Sequence, residues 1–212
     1  MVELDAVRRA LARHEPLLLR DAARSQAAVA MILREGGRAA GSAPEVLFIE
    51  RARHDGDPWS GHMAFPGGRV DAADPHERAA AERETLEEVG LDLAGAHHIG
   101  RLDDLPGRGA AKEHGLVISG HVYVWEGDAP LALDAREVAS AFWFPLADLH
   151  VPARHVPHTY PGAQMEFPGI LVGQPGRHVV WGLTYRFLEV FFGIVGRPLP
   201  ERWSFDRDEA MS

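Results

Sequence analysis

The chain has 212 residues, 46% hydrophobic and 25% charged, the proportions of an ordinary globular protein large enough to bury a core as one domain. Its net charge of −9 argues against general nucleic-acid binding, which needs a footprint of Lys and Arg, but leaves room for a small anionic substrate. The absence of cysteine excludes disulfides and thiol nucleophiles.

Near the start of the chain, Val2, Leu4, Val7 and Leu11 recur at helical spacing, which predicts a helix over residues 3–14. We interpret this helix as a packing or dimer element, so the sequence leaves open whether the protein forms a homodimer. The first residues are charged and lack a signal-peptide core, and no apolar run approaches the roughly 18 residues of a membrane span. We therefore expect a soluble cytoplasmic protein that contacts neither membrane nor nucleic acid.

Two apolar runs, 27–33 and 46–51, are separated by a small Gly-rich segment and predict the first hairpin of a mixed sheet. The next ten residues, 53–62, are rich in turn formers and charge and form a candidate substrate loop. In this loop Trp59 either contacts substrate or caps the core.

The next feature is a Gly-rich turn followed by a helix. Gly67 and Gly68 allow a sharp turn and a close approach of the backbone to a ligand. We predict a helix over 75–89, with Asp74 as N-cap, Glu77 at the capping-box spacing and Gly90 as terminator. Glu77 either extends the carboxylate cluster of this helix or, as we favour, complements the helix dipole.

This helix is predicted to have an acidic face spanning roughly 100° of arc and an apolar face opposite. Neighbouring like charges cost about 0.2–0.5 kcal/mol per pair on an exposed helix, and a bound cation reverses that sign. Hard cations such as Mg²⁺ take carboxylate oxygens together with substrate phosphates. The alternative is a solvated acidic face. The acidic face carries Glu84, Glu87 and Glu88, and the apolar face Ala79, Leu86 and Val89.

The rest of the chain alternates strand and loop signals before a second helix. Lone histidines such as His114 and His121 show no metal-site spacing, and we interpret them as structural or surface residues. The predicted elements are strands over 97–105 and 116–125, a strand and short helical turn within 137–149, a loop or edge hairpin over 150–170, a helix over 178–196 and a disordered tail over 202–212.

The stretch from Gly68 to Leu91 resembles the Nudix box, Gly-x5-Glu-x7-Arg-Glu-U-x-Glu-Glu-x-Gly-U, where U is aliphatic. Gly68 matches the first glycine, and residues 83–91 match the second half. The chain departs from the pattern at Thr85, which replaces an aliphatic residue, and at Asp74, which replaces the first Glu with one residue inserted after it.

Within that superfamily the chain is most similar to the coenzyme A pyrophosphatase branch. The spacer 53–60 is one residue longer than that branch implies, which leaves the substrate open between coenzyme A and another nucleoside diphosphate conjugate. The matching residues are Leu47, Phe48, Arg51, Ala52, Gly61, Phe65, Pro66, Gly67, Gly68, Glu137-Val138, Trp143–Leu146 and Trp181–Thr184.

The resemblance implies an α/β fold, a Nudix-type α/β/α sandwich with a mixed sheet between the box helix and the 178–196 helix, as a single domain over 1–212. It implies metal-dependent hydrolysis of a pyrophosphate bond, with Mg²⁺ or Mn²⁺ held by the three box glutamates. A non-catalytic nucleotide sensor of the same fold is the rival, although such a domain is expected to lose box glutamates.

Further residues receive candidate roles in that chemistry. Arg83, on the flank of the carboxylate face, orients a glutamate by ion pairing. Arg51 contacts a substrate phosphate or forms an edge-strand salt bridge. Arg53 and Trp59 offer a cation and an aromatic face to the nucleotide. The general base is not identified: it is a box glutamate or Glu137, whose alternative is a strand-end charge.

Overall fold

The computed structural model describes residues 3–19, 25–36, 43–54, 59–107, 115–160 and 165–200. Within these ranges the regular elements, in chain order, are α1 (Leu4–Leu11), β1 (Ser25–Arg34), β2 (Glu45–Arg51), β3 (Met63–Ala64), β4 (Gly67–Arg69), α2 (Glu77–Val89), β5 (His97–Arg101), β6 (Leu105–Gly107), β7 (Leu116–Val124), β8 (Val138–Pro145), β9 (His155–Thr159), β10 (Glu166–Leu171), β11 (Val179–Trp181) and α3 (Gly182–Ile194).

The main sheet is mixed, as predicted. Its strands run in the order β3-β2-β1-β7-β5, with β4 paired to β1, β6 to β7 and β8 to β2. β1 and β7 are parallel from the pair Ser25 and Leu116 to the pair Leu33 and Val124, and the other pairs are antiparallel. The predicted hairpin of the first two strands is confirmed, since β1 pairs antiparallel with β2.

The sheet separates two hydrophobic layers, which confirms the predicted sandwich. Because side chains alternate along a strand, β1 places Ile32 against one helix layer and Met31 and Leu33 against the other. The first layer contains Ala80, Ala81 and Val89 of α2. The second contains the buried side of α3, namely Tyr185, Phe187, Leu188, Phe191 and Phe192.

Several predicted boundaries differ from the structure. α1 is shorter than 3–14 and buries Leu4, Val7 and Leu11 in the α3 layer, which agrees with a packing role and leaves dimerisation a prediction. The strand predicted over 97–105 is two strands, β5 and β6, on neighbouring parts of β7. The predicted tail 202–212 lies outside the described residues, and no helix among the described ones is long and apolar enough to cross a membrane.

A second, three-stranded sheet was only partly anticipated. β9 and β10 form the hairpin that was one of two alternatives for 150–170. The helix predicted over 178–196 is wrong at its start, because Val179–Trp181 pairs with β10 as β11 and α3 begins at Gly182. Val179 and Val180 are β-branched, and the edge of β10 offers them backbone partners. Trp181, at the junction, lies beside the edge strand β3 through its ring contact with His62.

Candidate active site

The Gly-rich turn lies against both the central strand β1 and helix α2. Gly67 has φ +147°, and a β-carbon there would lie 2.2 Å from the carbonyl oxygen of Ala28, so only glycine fits. Its N–H donates to Oε2 of Glu88 at 2.9 Å. A β-carbon at Gly68 would lie 2.4 Å from the carboxyl carbon of Glu84. The turn is therefore in van der Waals contact with two carboxylates of the predicted metal site.

The start of α2 differs from the prediction. The helix begins at Glu77, and the N-cap is His76, whose Nδ1 accepts from the N–H of Ala79 at 3.0 Å. Asp74 is not the N-cap, because its carboxylate accepts instead from Nε and Nη2 of Arg83, at 3.2 and 3.0 Å. At the other end, Gly90 has φ +72° and ends the helix as predicted.

The buried face of α2 also differs from the prediction. Val89 is buried and Ala79 half-buried, but Leu86 is 50% exposed. Thr85 and Glu88 are buried instead, and the Thr85 hydroxyl donates to the carbonyl of Ala81 at 2.7 Å. Compared with the predicted orientation, the helix therefore buries Glu88, whose carboxylate accepts from the Gly67 N–H, and exposes Leu86.

Arg83 connects the turn before α2 to the glutamates of the helix. Its Nη1 donates to Glu84 at 3.0 Å and to Glu87 at 3.2 Å, while Asp74 holds the other edge of the guanidinium. Hydrogen bonding from Arg83 lowers the pKa of Asp74, and Asp74 foremost, with Glu84, raises the pKa of Arg83. This geometry agrees with the predicted positioning role of Arg83.

Two box glutamates are electrostatically strained. Burial raises the pKa of Glu88 to about 8, against the Gly67 N–H and the charge of Arg51, and Glu84 and Glu137 raise it further. Burial also raises the pKa of Glu84, against Arg83, with Glu87 and Glu137 adding to the rise. Glu137 and Arg51 therefore lie within electrostatic range of the box, whereas Glu87 is largely exposed.

A divalent cation matches this group in donor chemistry, because carboxylate oxygens are the ligands that Mg²⁺ and Mn²⁺ prefer and a cation relieves their repulsion. In the described part of the chain, however, no three acidic or histidine side chains meet with metal-binding geometry. The reason is visible in the contacts: Glu84 and Glu87 both accept from Arg83, and Glu88 accepts from Gly67. The carboxylate oxygens of the three glutamates therefore match a divalent cation in donor type.

The predicted substrate residues lie along the end of β2. The backbone N–H of Arg51 donates to His62 at 3.0 Å, and its charge opposes the pKa rise of Glu88. Arg53 follows two residues later and lines a cleft of about 550 Å³. Trp59 is 43% exposed and meets the His62 ring edge-on, with centroids 5.9 Å apart. The structure thus brings Arg51 within electrostatic range of Glu88, places Arg53 at the cleft and leaves Trp59 beside His62.

Two groups of residues near the site were not predicted from the sequence. One is an aromatic cluster around Trp181, in which the rings of His62, His158, Tyr160 and Phe167 lie with centroids 4.5–5.4 Å from the indole. These residues come from segments far apart in the chain. No local sequence pattern therefore predicts such a cluster.

The other grouping surrounds a buried carboxylate. Glu50 is 2% exposed and accepts from Nε and Nη2 of Arg177, at 2.7 and 2.8 Å, and from the Ser140 hydroxyl at 2.8 Å. Burial acts to raise the pKa of Glu50, but these hydrogen bonds and the charges of Arg177 and His178 hold it below its usual value. The only sequence signal was a Glu in an otherwise apolar strand.

Two other singled-out residues lie away from the box carboxylates. Glu77 is ion-paired with Arg101, which also binds Asp104 at 2.7 Å, so Glu77 does not share the Arg83 network. His121 is buried in β7, where its Nδ1 lies 3.4 Å from Nε2 of His98. Burial, with the charge of Arg101, lowers the pKa of His121 to about 3. This agrees with a structural role for His121, while His114 lies outside the described residues.

Comparisons with known proteins agree with this fold. The model of the NUDIX domain family matches residues 24–164, about two thirds of the chain. The Escherichia coli K12 protein described as uncharacterized Nudix hydrolase NudL is 30% identical over 142 residues, covering 66% of this chain and 70% of that protein. A Schizosaccharomyces pombe protein described as uncharacterized is 44% identical over 117 residues, or 52% of this chain, and the match spans only 35% of that protein.

Solved structures show the same fold. A NUDIX hydrolase from Alicyclobacillus acidocaldarius superposes with TM-score 0.53 at 18% identity, covering 84% of this chain and 93% of that one. A MutT/nudix family protein from Enterococcus faecalis gives 0.52 at 17% identity, covering 92% and 70%. Nudix hydrolases act on pyrophosphate bonds in nucleotide conjugates and generally use divalent metal ions. The chain belongs to the NUDIX domain family and is a pyrophosphohydrolase domain of that family.

Proposed function

We propose that this domain uses Mg²⁺ or Mn²⁺ to hydrolyse coenzyme A or an acyl derivative to 3′,5′-ADP and (acyl-)4′-phosphopantetheine. The observation that carries the proposal is the contact of the Gly67-Gly68 turn with the carboxylates of Glu84 and Glu88, flanked by Arg51. The choice of coenzyme A rests on the resemblance of residues 47–68 and of the C-terminal half to the coenzyme A pyrophosphatase branch. Water breaks the pyrophosphate bond, so each product keeps one of its two phosphates as a phosphomonoester.

The box glutamates Glu84, Glu87 and Glu88 would hold the metal. Bound there, a divalent cation supplies neutralisation of the pyrophosphate charge and activation of water. The Gly67 N–H fixes the Glu88 carboxylate, and Gly68 leaves room for the Glu84 carboxylate against the turn.

Arg83 is the positioning residue for these glutamates, since it donates to Glu84 and Glu87 while Asp74 fixes its own plane. Glu137 is our candidate for the general base. Its backbone carbonyl accepts from Ala52 at 2.7 Å, and its charge acts on both Glu84 and Glu88. An exposed carboxylate at this place can accept the proton of an attacking water molecule.

The substrate contacts are proposed along β2 and the loop that follows. Arg51, whose charge acts on Glu88, would bind a phosphate oxygen of the pyrophosphate, because a guanidinium matches phosphate geometry. Trp59 would provide an aromatic face for the adenine, being 43% exposed beside His62. The substrate would then lie across the end of β2, between the box and this aromatic edge.

The test is a side-by-side measurement of kcat/KM on coenzyme A, acetyl-coenzyme A, NADH, ADP-ribose and a nucleoside diphosphate sugar, with Mg²⁺ and with Mn²⁺. We expect coenzyme A or its acyl derivative to lead. Arg51→Ala should lower kcat/KM on every conjugate about 10- to 100-fold, the scale of losing a hydrogen bond to a charged group. Arg8→Ala, which removes an exposed ion pair on α1, is the control.

Two outcomes would redirect this proposal. If ADP-ribose, NADH or a sugar conjugate led by tenfold or more, the longer spacer 53–60 would mark that conjugate as the substrate, and the coenzyme A assignment would be wrong. If no member were turned over while one bound tightly, the domain would act as a nucleotide sensor.

A further inference from the structure

Glu137, the proposed general base, lies in a turn that leads into β8. The turn spans residues 134–137, and we name it the Glu137 turn. It begins against the box helix, because the N–H of Asp134 donates to the carbonyl of Glu88 at 3.1 Å. The charge of Glu137 acts on both Glu84 and Glu88. The position of the Glu137 carboxylate relative to the box therefore depends on how firmly this turn is held.

All four polar groups of the two peptide units that flank Glu137 are hydrogen-bonded. In the preceding unit, the carbonyl of Arg136 binds Nε2 of His54 at 2.6 Å. The N–H of the same unit, which belongs to Glu137, donates to the carbonyl of Asp134 at 2.9 Å. In the following unit, the Glu137 carbonyl accepts from the Ala52 N–H at 2.7 Å, and the N–H donates to the Asp134 carbonyl at 2.8 Å. These contacts fix both peptide planes and the direction in which the Glu137 side chain leaves the backbone.

One of these four hydrogen bonds comes from a side chain, that of His54. The other three join backbone groups, which side-chain substitutions leave in place. A carbonyl oxygen only accepts, so Nε2 of His54 carries the proton of this contact. The backbone of His54 is itself held, because its N–H donates to the Ser60 hydroxyl and its carbonyl accepts from that hydroxyl, both at 2.9 Å. The imidazole is exposed, so its replacement opens no cavity in the core.

We propose that His54 is a positioning residue for Glu137. Its imidazole N–H holds the carbonyl of Arg136, and this contact keeps the Glu137 carboxylate directed at the box. There the carboxylate accepts a proton from the water molecule that attacks the pyrophosphate. The inference rests on the proposed function and adds to it a residue of the predicted substrate loop that acts on the base, not on the substrate.

The kinetic test compares His54→Ala with the wild type on whichever conjugate of the panel is hydrolysed fastest. A base displaced by about 1 Å can lose roughly 10²-fold in rate. Because the three backbone hydrogen bonds remain, we expect kcat to fall about tenfold while KM changes by less than about twofold. His54→Gln, whose amide N–H can donate in place of Nε2, should recover most of kcat. His97→Ala removes another exposed histidine and is the matched control, with kcat retained.

A double-mutant cycle shows whether His54 acts through Glu137. Glu137→Gln removes the base and should lower kcat about 10²–10⁴-fold. In that background His54→Ala should lower kcat by less than about twofold more, because no base is left to position. A full additional loss would overturn the inference, since His54 would then act on the substrate or on the fold. Unchanged kcat in His54→Ala, or an effect confined to KM, would overturn it as well.

Amide hydrogen exchange separates this inference from the proposed function, because it requires no turnover. The N–H groups of Glu137 and Val138 both donate to Asp134. In His54→Ala both should exchange about tenfold faster, the scale of one lost hydrogen bond, and in His97→Ala neither should. If exchange accelerates while no conjugate is hydrolysed, the positioning contact stands and the proposed function fails.

The converse results overturn the inference and leave the hydrolase activity standing. One is hydrolysis of a conjugate with exchange and kcat of His54→Ala equal to those of the wild type. The other is a fall in kcat without faster exchange at Glu137 and Val138, because His54 would then act on something other than the Glu137 turn.

Discussion

The contact between the Gly68 backbone and Glu84 can be tested by adding one methyl group. In Gly68→Ala the new β-carbon would lie 2.4 Å from the carboxyl carbon and Oε1 of Glu84, whereas ordinary contacts begin near 3.4 Å. The carboxylate must therefore move by about 1 Å, the difference between these distances. A displacement of that size in a group that positions the reaction costs roughly 10²-fold in rate. We expect kcat/KM to fall by about that factor.

The fold should tolerate this change, because the clash is with the end of a flexible side chain and Gly68 does not have a positive φ. Thermal unfolding of Gly68→Ala should match the wild type within about 0.5 kcal/mol. Gly67→Ala is the matched control. Its β-carbon would lie 2.2 Å from the Ala28 carbonyl oxygen at φ +147°, so it should lose about 1–3 kcal/mol of stability or more.

A double-mutant cycle identifies the cause of the lost activity. In a Glu84→Ala background the methyl group meets no carboxylate, so Gly68→Ala should have little further effect on kcat/KM. Wild-type activity in the Gly68→Ala single variant would refute the reasoning. So would a full additional loss in the Glu84→Ala background, because the methyl group would then act through something other than Glu84.

Three further predictions concern the groups around the box. Asp74→Ala removes the carboxylate that holds Arg83 and should weaken metal-dependent activity about 10- to 100-fold, whereas Asp71→Ala, which removes an exposed carboxylate 3.8 Å from Arg83, should have little effect. Millimolar Mg²⁺ or Mn²⁺ should raise the melting temperature, because metal at one hundred times its Kd adds about 2.7 kcal/mol to the free energy of unfolding. A melting temperature that does not change with added metal would exclude the metal site. Between pH 6.5 and about 4, the free energy of unfolding of the wild type should fall relative to that of His121→Gln by about 1.4 kcal/mol for each pH unit lowered, because unfolded His121 binds a proton that the folded residue, with a pKa of about 3, does not. The comparison of the two proteins cancels the opposite contribution of Glu88, whose pKa is raised to about 8 in the folded state. The exposed control His97→Gln should show no such pH-dependent difference from the wild type.

Local patterns were sufficient to predict β1, β2 and β7, the Gly-rich turn and the end of the box helix. Apolar runs bounded by turn formers mark these three strands, and Gly90 ends α2 with the positive φ expected of a terminator. The resemblance to the Nudix box added the topology, which periodicity alone does not specify. The fold and the family are both confirmed.

Other features depend on tertiary contacts that no local pattern carries. Asp74 has the residue type and spacing of an N-cap, but Arg83 competes for its carboxylate and His76 takes the cap. Leu86 fits an apolar face, yet the hydrogen bond from Gly67 draws Glu88 inward and leaves Leu86 exposed. In both cases an interaction at the candidate site overrides the local preference.

The ion pair between Glu50 and Arg177 was missed for a related reason. Glu50 and Arg177 are 127 residues apart, and their pairing depends on how the second sheet packs at the end of β2 and β8. A single Glu within the apolar strand 46–51 was the one available sign. Buried carboxylates in strands are rare without a partner, so such a residue indicates a long-range ion pair even though its partner stays unknown.

The measurement that tests the central claim most directly is nucleotide release from the conjugate panel as Mg²⁺ or Mn²⁺ is titrated, with wild type and Glu88→Gln side by side. Glutamine preserves the shape of the side chain and removes its charge. We predict no release in chelator, a rise with added metal for the wild type, and a loss of about 10²–10⁴-fold in Glu88→Gln with the fold retained. Release that persists in chelator, or full activity of Glu88→Gln, would contradict a metal-dependent hydrolase built on this turn and helix.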